Sequence, residues 1–203
     1  MKQKIYSIEK LKKILNNKKI KGKKIVLCHG VFDLLHIGHI NHFKEAKNFG
    51  DVLVVSLTPD IYVNKGPGRP AFNEKLRMQA IAALNVVDYV GLNSTPTAVN
   101  VINKLRPDIY CKGPDYKNYQ DDISGQIKEE TKAVKKIGSK TVFTESKTFS
   151  SSKLINRFDD FDLNEQTMLI KKIKKNYTFF KIRNLIDKFK KLKVLIIGET
   201  IID

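Results

Sequence analysis

The chain has 203 residues, 41% of them hydrophobic, which suits one domain of ordinary size plus an appendage and allows a buried core. Lys and Arg number 38 against 21 Asp and Glu, and the net charge of +17 fits a handler of polyanions or, equally, a lysine-rich proteome. No apolar run reaches the roughly 18 residues of a membrane span, the basic N-terminus lacks the apolar stretch of a secretory signal, and none of the usual nucleic-acid-binding motifs is visible. A cytoplasmic protein with no membrane and no nucleic-acid partner is the expectation.

The elements follow in chain order. Residues 7–20 carry apolar positions at helical spacing, with Ser7 placed to cap the start. "KKIVLCHG" is a short apolar strand ending at Gly30, and residues 39–49 form a helix with Ile40, Phe43 and Ala46 on its inner face. Residues 51–58 are a strand apolar throughout, as a parallel strand covered on both faces must be. A helix over 73–85 with Asn73 as its cap, a strand over 86–93, and a helix over 97–107 stopped by Pro107 come next. The remainder is a strand over 108–113, a helix over 124–138 closed by a glycine, a strand over 140–145 and a helix opening in "SSSKLINRF". Strand–helix alternation five times over predicts an α/β fold with a doubly wound, Rossmann-like parallel sheet, whose ligands collect beyond the C-terminal strand ends.

Residues 1–158 form this domain. Residues 159–192, charged and amphipathic, are expected as a helical linker, and residues 193–203, "KVLIIGETIID", as the first strand of a further domain. Cys28 and Cys111 form neither a disulfide framework nor a CxxC pattern and are expected as reduced core thiols.

The stretch "CHGVFDLLHIGHINHF" places three of the chain's four histidines, His36, His39 and His42, within seven positions. No carboxylate or cysteine stands close enough in sequence to complete a tetrahedron with them, so no metal site is expected. His42, followed by Phe43, suits core packing. His36 and His39 flank Gly38 between a strand end and a helix start, where Gly30, Val31 and Phe32 turn the chain out of the strand. Free N–H groups at the helix start, close approach at Gly38 and two imidazoles make a grip for phosphate. Lys112 and Asp115, in the loop after the fourth strand, are expected to line the same crevice. Asp33 either structures the turn or touches substrate.

"GVFDLLHIGH" resembles the HxGH signature of the nucleotidylyltransferase superfamily in its cytidylyltransferase-like form. "RPAFNEKLRMQAI", "DIYCKGPDY" and "FSSSKLI" follow in the family's order, so the resemblance covers about residues 22–158. The middle blocks are most similar to the transferase half of bifunctional enzymes making nucleotide-activated heptose. "FDLLHIGHIN" and the serine-lysine ending are similar to glycerol-3-phosphate cytidylyltransferase, and the tail resembles the first strand of a PfkB-type sugar kinase.

The resemblance implies CTP or ATP reacting with a phosphorylated sugar or polyol to give a nucleotide-linked product and pyrophosphate, for capsule or envelope glycoconjugates. It implies catalytic roles for His36, His39 and Lys65, phosphate binding by Ser150, Ser151 and Ser152, and a substrate contact for Arg77, which is otherwise a helix-surface charge. Mg²⁺ would arrive with the nucleotide, and a homodimer is implied. The family's arginine before the serine motif is absent, with Lys147 and Lys153 standing nearby.

Overall fold

The computed structural model describes residues 3–65, 69–116, 126–145, 172–173 and 176–189. The chain divides into two units, Met1–Leu154 and Ile155–Asp203.

The first unit opens with α1 (Ile8–Ile20), whose cap is Ser7: its side chain accepts from the Lys10 N–H. The elements that follow are β1 (Ile25–Gly30), α2 (Ile37–Lys47), β2 (Val52–Leu57), α3 (Glu74–Ala82), β3 (Tyr89–Leu92), α4 (Val99–Leu105), β4 (Ile109–Lys112), α5 (Ile127–Lys136) and β5 (Lys140–Phe143). All strand pairs are parallel and the sheet order is β3-β2-β1-β4-β5.

Both faces of the central strands are buried, which is why β1 and β2 are largely apolar rather than alternating, with His29 and Ser56 as buried polar positions. Leu27, Val54 and Tyr110 face one core, built with Leu11 and Leu15 of α1, Val101 and Ile102 of α4, and Val134 of α5. Val26, Cys28, Val55 and Cys111 face the other, built with Phe43 and Ala46 of α2 and Ile81 of α3. Helices on both faces complete the doubly wound arrangement. Gly91 of β3 lets α1 approach: a Cβ there would stand 2.7 Å from Leu11 Cδ1 and 2.9 Å from Ile8 Cδ1.

Several boundaries differ from expectation for local reasons. The helix expected from residue 39 starts at Ile37, because the His36 side chain caps it. The third strand starts at Tyr89 rather than 86, because the Asp88 carboxylate accepts from Leu53 N–H and Lys47 Nζ and closes the preceding turn. α4 ends when Arg106 adopts a left-handed φ of 47° before Pro107. Gly138, at φ +77°, closes α5.

Strand order reverses between β1 and β4: the chain runs outward through β2 and β3, then returns to the other side of β1. The crevice that such a sheet offers a ligand lies beyond Gly30 and Lys112.

In the second unit, α6 (Phe179–Phe189) exposes Leu185, Ile186 and Phe189. The boundary expected at 158 and the strand expected over 193–203 lie outside the described residues. Among the described residues, no helix is long and apolar enough to cross a membrane.

Candidate active site

The loop leaving β1 is shaped by two residues. Phe32 holds a left-handed φ of 47°, which costs a non-glycine residue roughly 1–2 kcal/mol. Its ring folds back over Gly30, where a Cβ would meet the ring at 3.0 Å, and its edge packs on His39 (centroids 5.4 Å apart) and Phe43 (5.0 Å). Gly30→Ala is therefore expected to push the ring toward His39, lowering activity at least about tenfold while costing 1–3 kcal/mol of stability by overpacking. A steady-state assay beside a thermal melt checks this.

His36 caps α2 unusually, through its ring: Nδ1 accepts from Gly38 N–H at 3.1 Å. The neutral ring must then carry its proton on Nε2, and Nε2 is buried with no partner among the described residues. His39 stacks on His36 with centroids 3.8 Å apart and planes 25° off parallel. Its Nδ1 is likewise buried and unpartnered, while the ring contacts the Leu34 backbone. Two imidazole nitrogens thus stand without partners among the described residues at the positive end of an 11-residue helix. Burial lowers the His36 pKa. Burial, then the neighbouring His36, His42 and Lys65 charges, take His39 down to about 3.

The loop after β2 is clamped to the loop after β1. Asp33, fully enclosed, accepts from Arg69 Nε (2.6 Å), Ala71 N–H (2.7 Å) and Phe72 N–H (3.3 Å). Its carboxylate structures the turn; of the two roles open to it in the sequence, this is the one its contacts fill.

Arg77 is not a surface charge but one of the largest fully buried side chains. Its guanidinium donates to the Val31, Phe72 and Thr58 carbonyls and to Asp60 Oδ1. These contacts tie together the loops after β1 and β2, which is a positioning role. Periodicity along α3 cannot reveal this, because the carbonyls that draw the guanidinium inward belong to distant loops.

Arg69 was not singled out in the sequence, yet its Nη2 is buried without a partner among the described residues. The only sequence signal for it is its place in the family's "RP" block. Lys65 is exposed in the same loop.

Across the crevice, Lys112 ends β4 with its ammonium buried against Glu130 (3.1 Å) and over the Tyr116 ring (4.3 Å). Glu130 also accepts from Tyr110 Oη (2.8 Å) and Ala98 N–H (3.0 Å). Burial would raise the Glu130 pKa, but Lys112, His29 and these two donors outweigh it and hold the carboxyl below its ordinary value. The structure thus gives Lys112 a carboxylate partner, whereas Asp115 is exposed on the turn Pro114–Tyr116. Ser150, Ser151 and Ser152 lie outside the described residues.

His29, at the end of β1, is buried between Ser56 Oγ (2.8 Å) and Thr58 Oγ1 (3.3 Å). Burial and then Lys112 lower its pKa from 6.5 to about 4, against a smaller opposing pull from Glu130. An unfolded His29 takes up a proton at higher pH than the folded one. Its stabilisation is therefore complete above 6.5 and lost as pH falls toward about 4, on the order of 3 kcal/mol in all. Thermal melts across that window should show Tm falling with pH, with a shallower fall in His29→Asn.

The sequence model of the cytidylyltransferase-like family matches residues 27–157. The bifunctional protein HldE of Desulfatibacillum aliphaticivorans is 42% identical over 130 residues, 63% of this chain and 26% of that protein. HldE of Aliarcobacter butzleri is 36% identical over 151 residues, 73% of this chain and 31% of that protein. The chain thus spans between about a quarter and a third of the length of these relatives.

Among solved structures, a lipopolysaccharide core biosynthesis protein from Thermoplasma volcanium superposes with a TM-score of 0.53 at 32% identity, covering 63% of this chain and all of that one. Pantoate-beta-alanine ligase from Francisella tularensis, at 20% identity and a TM-score of 0.52, covers 74% of this chain and 69% of its own and shares the fold. With the family's sequence model covering 27–157, and the HxGH histidines paired where a five-stranded parallel sheet reverses its order, the chain belongs to the cytidylyltransferase-like family of nucleotidylyltransferases.

Proposed function

We propose that this domain transfers a nucleotidyl group from CTP or ATP to a sugar or polyol phosphate. A phosphate oxygen of the acceptor attacks the α-phosphorus in line, and the bond to the β-phosphate's bridging oxygen breaks. Pyrophosphate leaves, and the nucleotide-linked product enters glycoconjugate synthesis. The observation that carries the reading is the pair of imidazole nitrogens at the start of α2 that have no partner among the described residues, since buried polar atoms without partners call for a ligand.

A phosphate oxygen accepts naturally from His36 Nε2–H. His39 Nδ1 donates once the anion's charge has restored its proton. Both then stabilise charge developing on the leaving pyrophosphate. Arg69 Nη2 and Lys65 add positive charge beyond β2, and Ser150, Ser151 and Ser152 are proposed to take the β- and γ-phosphates. Mg²⁺ is proposed to ride on the nucleotide, held mainly by phosphate oxygens. Asp33, the acid nearest the histidines in sequence, fits no metal role, because its oxygens are already engaged by Arg69, Ala71 and Phe72.

The likeness to HldE and to a lipopolysaccharide core biosynthesis protein supports a sugar phosphate as acceptor. Resemblance to the heptose enzymes favours ATP, and the "FDLLHIGHIN" form favours CTP. Pyrophosphate release measured with each nucleotide against a panel of heptose, hexose and polyol phosphates tests the proposal. Turnover with one pair is expected, and none with any pair sinks it.

Nucleotide binding should also take up protons. The free-state pKa of both histidines is lowered, and a bound polyanion raises them. Affinity is therefore expected to rise as pH falls from about 7.5 to about 6, with calorimetry in buffers of unequal ionisation enthalpy reporting net uptake. A pH-independent affinity would remove the imidazoles from the phosphate site.

A further inference from the structure

We propose that Cys28, Cys111 and His42 form a binding site for a thiophilic divalent cation, zinc foremost, between the centre of the sheet and α2. The three come from β1, β4 and α2, and one ligand atom from each lies within 4.8 Å of the other two. Cys28 and Cys111 are register partners on adjacent strands and project into the same core as Phe43 of α2. Zinc–sulfur bonds of about 2.3 Å and zinc–nitrogen bonds of about 2.0 Å space tetrahedral donors some 3.5–3.8 Å apart, so closure needs shifts of about an ångström.

The sequence hid this set by scattering it. His42 sits beside His36 and His39 in the chain, but its ring is held by Thr144, through Nδ1 at 3.0 Å. The Thr144 hydroxyl also reaches the Lys112 carbonyl at 3.4 Å. A hydroxyl that donates to that carbonyl accepts from Nδ1–H, which leaves Nε2 with its lone pair. Such an outer contact orients a metal-binding imidazole and fixes its tautomer.

Charge favours a divalent ion here. The two sulfurs are fully buried in apolar surroundings, where a lone thiolate is costly. Two thiolates and one divalent cation sum to zero. Binding converts two thiols to metal-bound thiolates and releases two protons to solvent, with no change of oxidation state. His42, less deeply buried than the sulfurs, marks the side from which the ion and a fourth ligand, water, would enter.

The test uses the full chain, reduced and freed of metal with a chelator. Titration with Co²⁺ alone should saturate at one equivalent, with thiolate-to-cobalt charge-transfer absorption and ligand-field bands of a tetrahedral ion. Zn²⁺ should compete it away, release two protons per ion and raise Tm. Cys28→Ala, Cys111→Ala and His42→Gln should each weaken binding by about 100-fold or more, while His36→Ala/His39→Ala leaves it unchanged.

Zinc-edge X-ray absorption on the wild-type protein is independent of how well the variants fold, and should show two sulfur neighbours at about 2.3 Å. Coordination by nitrogen and oxygen only, uptake that survives loss of both cysteines, or uptake that vanishes with His36 and His39 would overturn the assignment. So would a metal-free protein whose two thiols have joined as a disulfide and that takes up no metal after reduction.

Discussion

His36→Ala and His39→Ala are each expected to lower kcat by about 10²–10³-fold, the usual loss when one preorganised donor to a developing charge is removed. The double variant should fall little further than the worse single, because the two rings stack and act on the same phosphate chain. His36 has a second role as the cap of α2, so its alanine variant also loses about 1 kcal/mol of stability. His36→Asn separates the two. Asparagine caps a helix well but cannot present a donor where Nε2 stands, so the melt should recover while turnover stays low. Turnover that survives either alanine substitution would take the histidines out of the chemistry.

Glu130→Gln should be the most destabilising single change among the buried polar groups. It leaves the Lys112 ammonium enclosed without its carboxylate, a loss of about 3–5 kcal/mol. For a protein of this size that lowers Tm by roughly 10 °C. Lys112→Met should cost less, because the Glu130 carboxylate keeps the Tyr110 hydroxyl and the Ala98 N–H. Glu130→Gln/Lys112→Met should regain much of the loss, giving a coupling energy of about 1–3 kcal/mol in the cycle. The same set shows whether Lys112 also serves the nucleotide. If it does, both variants lacking the lysine raise the nucleotide KM, whereas a purely structural ammonium leaves KM at its wild-type value.

The architecture was legible because burial on both faces writes a largely apolar run at the central strands, and because Ser7 and Asn73 announce their helices. The HxGH turn was legible for the same local reason: His36, Gly38 and His39 are near neighbours in the chain. What could not be read was carried by pairs far apart in sequence. Asp33 meets Arg69, Arg77 meets Val31 and Thr58, and Cys28 meets Cys111 only through the fold. Helix spacing offered Arg77 as a surface charge, whereas the fold buries it. Local pattern reports which face a side chain takes but not which distant atoms wait there.

The return of the chain from β3 to the far side of β1 also bears on how the molecule is made. Strand β1 gains β2 within about thirty residues, but its other edge stays bare until β4 arrives, 83 positions after Cys28 in the case of Cys111. Closing so long a loop is slow compared with forming a helix or a neighbouring strand pair. A portion of the chain ending before β4 thus holds the HxGH turn beside an open sheet edge that invites intermolecular pairing. The second wall of the crevice exists only once β4 has docked beside β1.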